Sequence, residues 1–146
     1  PIIIEDDILG ELLYDRTINS FDGHIPWLDK NIDISLDVDK DNKSGITKAR
    51  KAMKELYLSA EKWDAEMRIF AAKKLIGLAR DWCESEEETL KITEESFAER
   101  IGIESISITS GGSFTAYFSD DDIFAGHCIT VSGSLKKGIT SASMGG

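Results

Sequence analysis

The chain has 146 residues, with 17 Lys+Arg against 27 Asp+Glu and a formal net charge of −10. Apolar residues make up 41% of it, enough to build a core, which excludes an intrinsically disordered chain. No apolar run approaches the roughly 20 residues of a membrane span, and no signal-peptide pattern is legible. Two cysteines, Cys83 and Cys128, cannot make a disulfide framework and are expected to be reduced and unpaired. The length fits one domain over residues 1–146. Charge is uneven: residues 1–45 carry −7, residues 46–83 carry +4 and residues 84–146 carry −7. Acidic flanks repel phosphate over a Debye length of ~8 Å, so the basic middle does not read as a nucleic-acid surface.

In chain order, residues 11–38 read as strands. Glu11–Ile18 has β-formers at Tyr14, Thr17 and Ile18, and Asn19-Ser20 follows as a turn. Phe21, Ile25 and Trp27 alternate about Gly23, while Ile32, Ile34, Leu36 and Val38 alternate with polar residues without a gap. These make a three-stranded meander, with Pro26 placing its strand at an edge or a bulge. Period then changes to that of a helix: Ile46, Ala49, Met53, Leu56, Ala60, Trp63, Met67 and Phe70 recur at steps of three and four, and Ala71, Leu75, Leu78 and Trp82 continue the stripe. One unbroken helix over residues 46–83 would be ~57 Å long, too long for a compact domain of this size. A break is therefore expected near Ser59, with Ser44 or Thr47 capping the first helix and Ser59 the second. Glu84–Thr89 reads as an acidic loop, and Thr93 as the cap of a short helix over residues 94–101.

Strands are expected over residues 104–109 and 113–118, joined through Ser110-Gly111-Gly112, and over residues 125–132. From Gly133 onward the chain is too rich in Gly and Ser to assign. The order βββ-αα-α-βββ is an α+β fold: antiparallel sheet from an N-terminal meander and a C-terminal hairpin plus strand, packed with two longer central helices and one short one.

Motifs that carry chemistry are scarce. Asp39 to Arg50 resembles a calcium-binding EF-hand loop at Asp39, Asp41 and Ile46, but Lys43 and Arg50 stand where oxygen ligands belong, and Ser44 replaces the turn glycine. No calcium site is expected there. Asp120, Asp121 and Asp122 point in different directions as consecutive residues, so they read as a charged loop tip, as do Glu86, Glu87 and Glu88. His24 falls opposite the apolar face of its strand, toward solvent. His127 shares a face with Ile129 and Val131, toward the core or a cleft, where it is expected to hold a loop carboxylate. The two histidines would meet in a metal site only if their strands were adjacent, and no set of three or four ligands at recognisable spacing is present. Neither cysteine follows a helix N-terminus that would activate it, and no nucleophile elbow or phosphate-binding glycine loop occurs. Glu61, Asp64 and Glu66 read as surface carboxylates paired with Lys62 and Arg68.

Three groups of residues resemble a bacterial family known as domain of unknown function 2262. They are Tyr14-Asp15-Arg16 through Phe21-x-Gly23 to Trp27; Trp63-Asp64 with Leu75 and Asp81-Trp82; and Glu104-Ser105-Ile106 with Gly112-Ser113-Phe114 and Gly126-His127-x-Ile129-x-Val131-Ser132-Gly133. The resemblance implies a small cytoplasmic bacterial domain and carries over no catalytic residues, metal or cofactor. Orphan domains of this kind occur in toxin–immunity or defence loci, an analogy that favours a binding protein over an enzyme. The expected function is therefore non-catalytic recognition of a basic protein partner, of which a toxin nuclease is one kind. The acidic loops at Glu86, Glu87, Glu88 and Asp120, Asp121, Asp122 would steer it. The alternative is a small enzyme or metal-dependent binder using His127 with Asp120 and Asp122, and His24 if it is near.

Overall fold

The computed structural model describes residues 1–145 and is organised around one sheet. Its eight strands lie in chain order: β1 (Ile3–Asp6), β2 (Gly10–Asp15), β3 (Ser20–Trp27), β4 (Lys30–Asp37), β5 (Gly102–Thr109), β6 (Ser113–Ser119), β7 (Cys128–Ser134) and β8 (Gly138–Gly145). Between β4 and β5 come α1 (Lys43–Leu58), α2 (Ala60–Asp81), α3 (Glu86–Lys91) and α4 (Glu94–Arg100). Every pair of neighbouring strands is antiparallel except β4 and β5, which run parallel with Ile34 opposite Ile106. A parallel neighbour requires a crossover, and the helical segment supplies it. The two expected groups of strands are thereby one α+β sheet.

The structure corrects the expected elements in several places. The N-terminal meander has four strands, because β1 precedes the three anticipated, and β8 occupies the Gly/Ser-rich stretch left unassigned. Backbone pairing with β7 makes that stretch a strand, whatever its weak propensity. Residues 86–91 form α3 where an acidic loop was expected: Ser85 accepts the Glu88 N–H at 3.2 Å, and three glutamates in the first turn suit the positive end of the helix. Pro26 lies in an interior strand, but β2 pairs with β3 only over Ser20–Asp22, so the ladder has ended on that side before the proline is reached. Gly23 sits where the strands cross closely, since a Cβ there would lie 2.8 Å from the Glu11 carbonyl.

The helix break falls at Ser59, as the length argument requires, although the Ser59 side chain makes no cap bond. α1 is capped by neither Ser44 nor Thr47 but by Asn42, whose Oδ1 accepts the Gly45 N–H at 3.0 Å. Thr93 and Ser96 form a reciprocal capping box at α4. The helices bury Ala49, Met53, Leu56, Trp63, Met67 and Leu75 against one face of the sheet, which presents Phe21, Ile25, Trp27, Ile34, Leu36, Ile106, Ile108, Phe114, Phe118 and Val131. Toward the end of α2 the stripe surfaces, leaving Leu78 and Trp82 about 40% exposed.

Candidate functional site

A sheet covered on one face leaves the other to solvent, and period two decides which residues stand there. Register aligns them in rows. Leu13, Asp22, Ser35, Ser107, Thr115, Ser132 and Ser141 run from β2 to β8. His24, Asp33, Ser105, Tyr117, Thr130 and Ser143 form the next row from β3. From β5 to β8 these two rows carry only hydroxyl side chains. From β2 to β4 the same alternation presents Glu11, Asp15, Asp22, Asp33 and Asp37. Here the face is cut by a groove of about 930 Å³, bordered by Leu13, Ile18, Asp22, His24, Asp33 and Ser35. Leu13 is 46% and Ile18 61% exposed, so the groove is acidic and apolar together, with Arg16 also on its rim.

Within the groove, Asp22 Oδ1 accepts hydroxyl hydrogen bonds from Ser20 at 2.7 Å and Ser35 at 2.8 Å. Asp37 lies close enough to feel that carboxylate: partial burial, then the Asp22 charge, push the Asp37 carboxyl above its ordinary value. His24 is solvent-facing as expected, with Nδ1 2.8 Å from Asp33 Oδ1. Of the five carboxylates, Asp33 alone has a basic side chain, that of His24, in contact with it among the described residues. Uncompensated like charge on a folded surface opposes folding.

The residues anticipated from the sequence lie elsewhere. Glu86, Glu87 and Glu88 are exposed in the first turn of α3, Glu87 within 3.7 Å of Lys91. Asp120 is buried, with Oδ1 accepting the Asp122 N–H at 3.1 Å and Oδ2 the N–H groups of Phe124 at 2.8 Å and Gly126 at 3.1 Å. It is the organiser of a turn in which Asp121, Asp122 and Ala125 all adopt left-handed φ, at 49°, 59° and 56°. Asp121 is bound by Arg100, whose Nε donates to its carboxylate at 2.8 Å and whose NH2 donates to its carbonyl at 2.7 Å. Asp122 is exposed. His127 is half-buried and holds a backbone carbonyl, not a carboxylate: its Nδ1–H donates to Phe124 at 2.5 Å, while its ring meets Trp82 edge-on at 5.4 Å. Four strand steps, about 19 Å at ~4.8 Å each, separate the strands of His24 and His127, so the two-histidine site does not form. No group of three His, Cys, Asp or Glu able to hold a metal occurs among the described residues.

The EF-hand-like segment is likewise committed to structure. α1 begins at Lys43, and Asp39 accepts the Asp41 N–H at 2.9 Å and the Tyr14 hydroxyl at 3.2 Å. Asp64, read from sequence as a surface carboxylate, is buried: Oδ1 accepts the Trp27 indole N–H at 3.0 Å and Oδ2 pairs with Arg68 Nε at 2.7 Å. Arg68 in turn donates to the carbonyls of Ala98 and Ile101, which ties α2 to the start of β5. Cys83 and Cys128 are free and half-buried. The groove is not legible in the sequence because its residues come from four strands and the turns between them; the one signal is the density of Asp between apolar positions in residues 11–37.

These features define an α+β protein with a helix-covered sheet whose open face is acidic at one end and hydroxyl-lined at the other. The chain belongs to the family described as an uncharacterized protein conserved in bacteria (DUF2262), whose model matches residues 6–144. No curated protein and no solved structure matches it. No helix among the described residues is long and apolar enough to cross a membrane.

Proposed function

We propose that this chain is a non-catalytic binding protein whose open sheet face receives a basic protein partner at the groove between β2 and β4. The carrying observation is the set of carboxylates at Glu11, Asp15, Asp22 and Asp33 around the groove, with Asp37 beyond it on the same face; among the described residues only Asp33 contacts a basic side chain, and Leu13 and Ile18 stand exposed beside them. Cations from a partner would relieve the repulsion between Asp22 and Asp37, and an apolar side chain seated against Leu13 and Ile18 would anchor the contact. The hydroxyl-lined half offers short Ser and Thr side chains around exposed Tyr117. The acidic loops expected to steer the partner contribute less in this reading, because Asp120 is internally saturated and Asp121 is held by Arg100.

The enzymatic alternative draws no comparable support. Both oxygens of Asp120 and Nδ1 of His127 are spent on backbone partners, and His24 stands four strands away. The test is capture from a lysate of the native host on the immobilised chain, repeated with Asp22→Lys plus Asp37→Lys and with Glu86→Gln, Glu87→Gln plus Glu88→Gln. A basic protein held by the wild type and by the α3 variant but lost from the groove variant supports the proposal. A partner retained equally by the groove variant would sink it.

A further inference from the structure

The two edges of the sheet are built differently. β1 is four residues long, contains Glu5 and Asp6, and is followed by Asp7. Short length and charge are the usual protection of an exposed edge. β8 is eight residues long, Gly138–Gly145, with neither a charged residue nor a proline, and among the described residues nothing pairs with its outer side. The irregularity in the β7–β8 ladder lies at Ser132/Gly133, opposite the start of β8, so Ser141–Gly145 remains a regular stretch of edge with unpaired backbone groups.

Charge selects the occupant. The chain carries −10, yet residues 123–145 contain no Asp or Glu, only Lys136 and Lys137. Two copies of an acidic chain repel least where neither has a carboxylate. We propose that β8 pairs antiparallel with β8 of a second copy of this chain. The twofold axis passes through Ser143, so that Ala142 of one copy faces Met144 of the other on the helix side. An axis normal to the sheet maps the surface onto itself, an isologous contact that closes at two. The two sheets become one of sixteen strands, with both open faces on the same side. α2, which packs over β7 and β8, backs the junction in each copy. This inference stands apart from the partner reading and does not need it.

Sedimentation equilibrium of the full chain tests it. Wild type should reach twice 16.1 kDa within the micromolar range, and Ser143→Lys should stay at 16.1 kDa. Ser143 is exposed, so the lysine need not disturb the fold, but at the axis it faces its own copy. Glu5→Lys, at the opposite edge, should leave the doubled mass unchanged. A wild-type chain that remains monomeric, or a dimer that survives Ser143→Lys or dissolves with Glu5→Lys, overturns the proposal. Hydrogen exchange of the unmodified chain gives a second reading: protection of the β8 amides should rise with protein concentration, and constant protection would equally refute the pairing.

Discussion

Asp6 shows how one residue can tie a turn to a helix. Its Oδ1 accepts the N–H groups of Ile8 and Leu9 at 2.9 and 2.8 Å, while Oδ2 meets Arg50 Nε at 2.7 Å and Lys54 Nζ at 3.2 Å. Burial acts to raise its pKa, but the two amides and two cations outweigh it and hold the carboxyl far below the ordinary range. A carboxyl whose folded pKa is depressed stabilises fully above its unfolded value, about 3.9, and that contribution is lost as pH falls toward the folded pKa. Asp6→Ala should therefore cost about 2–4 kcal/mol in urea unfolding at neutral pH, and the gap from wild type should narrow under strong acid. Asp120 is the second such residue. Asp120→Ala orphans three backbone donors in a turn with three left-handed non-glycine residues, and we expect a loss of about 2–3 kcal/mol, with the Phe124 and Gly126 amide resonances moving most. In the sequence Asp120 is one of three acids at a charged loop tip, and Asp6 stands between Glu5 and Asp7. Nothing local separates them from exposed Asp7 or Asp122, because what buries them comes from elsewhere in the chain.

At the scale of elements, helices were the most legible part. Period and length placed α1, α2 and the break between them, since the apolar stripe is written within each segment and a 38-residue helix would outgrow the domain. Caps were less legible: Asn42, Ser44 and Thr47 are all chemically able, and only backbone geometry selects Asn42. Asn42→Ala should lower stability by about 1 kcal/mol, read from the shift in urea midpoint, while Ser44→Ala should change it little. Edge strands were the least legible. β1 and β8 have exposed or half-buried residues at most positions, so no clean alternation marks them, and pairing with β2 and β7 makes them strands.

Across the whole molecule, the acidic groove sets stability against recognition. Asp37 has a carboxyl pKa raised first by burial and then by Asp22, so the folded state holds its proton more tightly than the unfolded chain does. That contribution favours folding below the unfolded pKa and is lost as pH rises through the folded one. Asp37→Asn should thus raise the thermal midpoint at neutral pH and remove the fall in midpoint that Asp37 causes as pH rises above the ordinary Asp value, leaving the rise due to Asp6 at lower pH in place. The same substitution, combined with Asp22→Asn, should slow association with a basic partner and weaken the salt dependence of the on-rate, with little change in off-rate. Stopped-flow association at several ionic strengths checks this. A faster-binding or equally salt-sensitive variant would place recognition away from the groove. A net charge of −10 also keeps the protein from associating at random, which makes an uncharged sheet edge such as β8 the more conspicuous.

Local pattern by itself determined the α+β class, the helical centre, the outward direction of His24 and the inward sets of β3 and β4, because period two and period 3.6 are properties of neighbouring residues. It also set Lys43 and Arg50 where a calcium loop has oxygen ligands, which is a property of residue order alone. Only the tertiary structure decided that the two groups of strands form one sheet: the parallel register of β4 on β5 pairs residues 72 positions apart, Asp33 with Ser105, and no local signal reports it. The sheet left one face uncovered, with Leu13 opposite Asp22 on it and Asp33 and Asp37 one strand further on. It also set His24 and His127 four strands apart and sent Asp64 inward to meet Trp27 and Arg68. Burial and charge are summed over neighbours in space, which is why the groove, and not the acidic loops, emerged as the candidate surface.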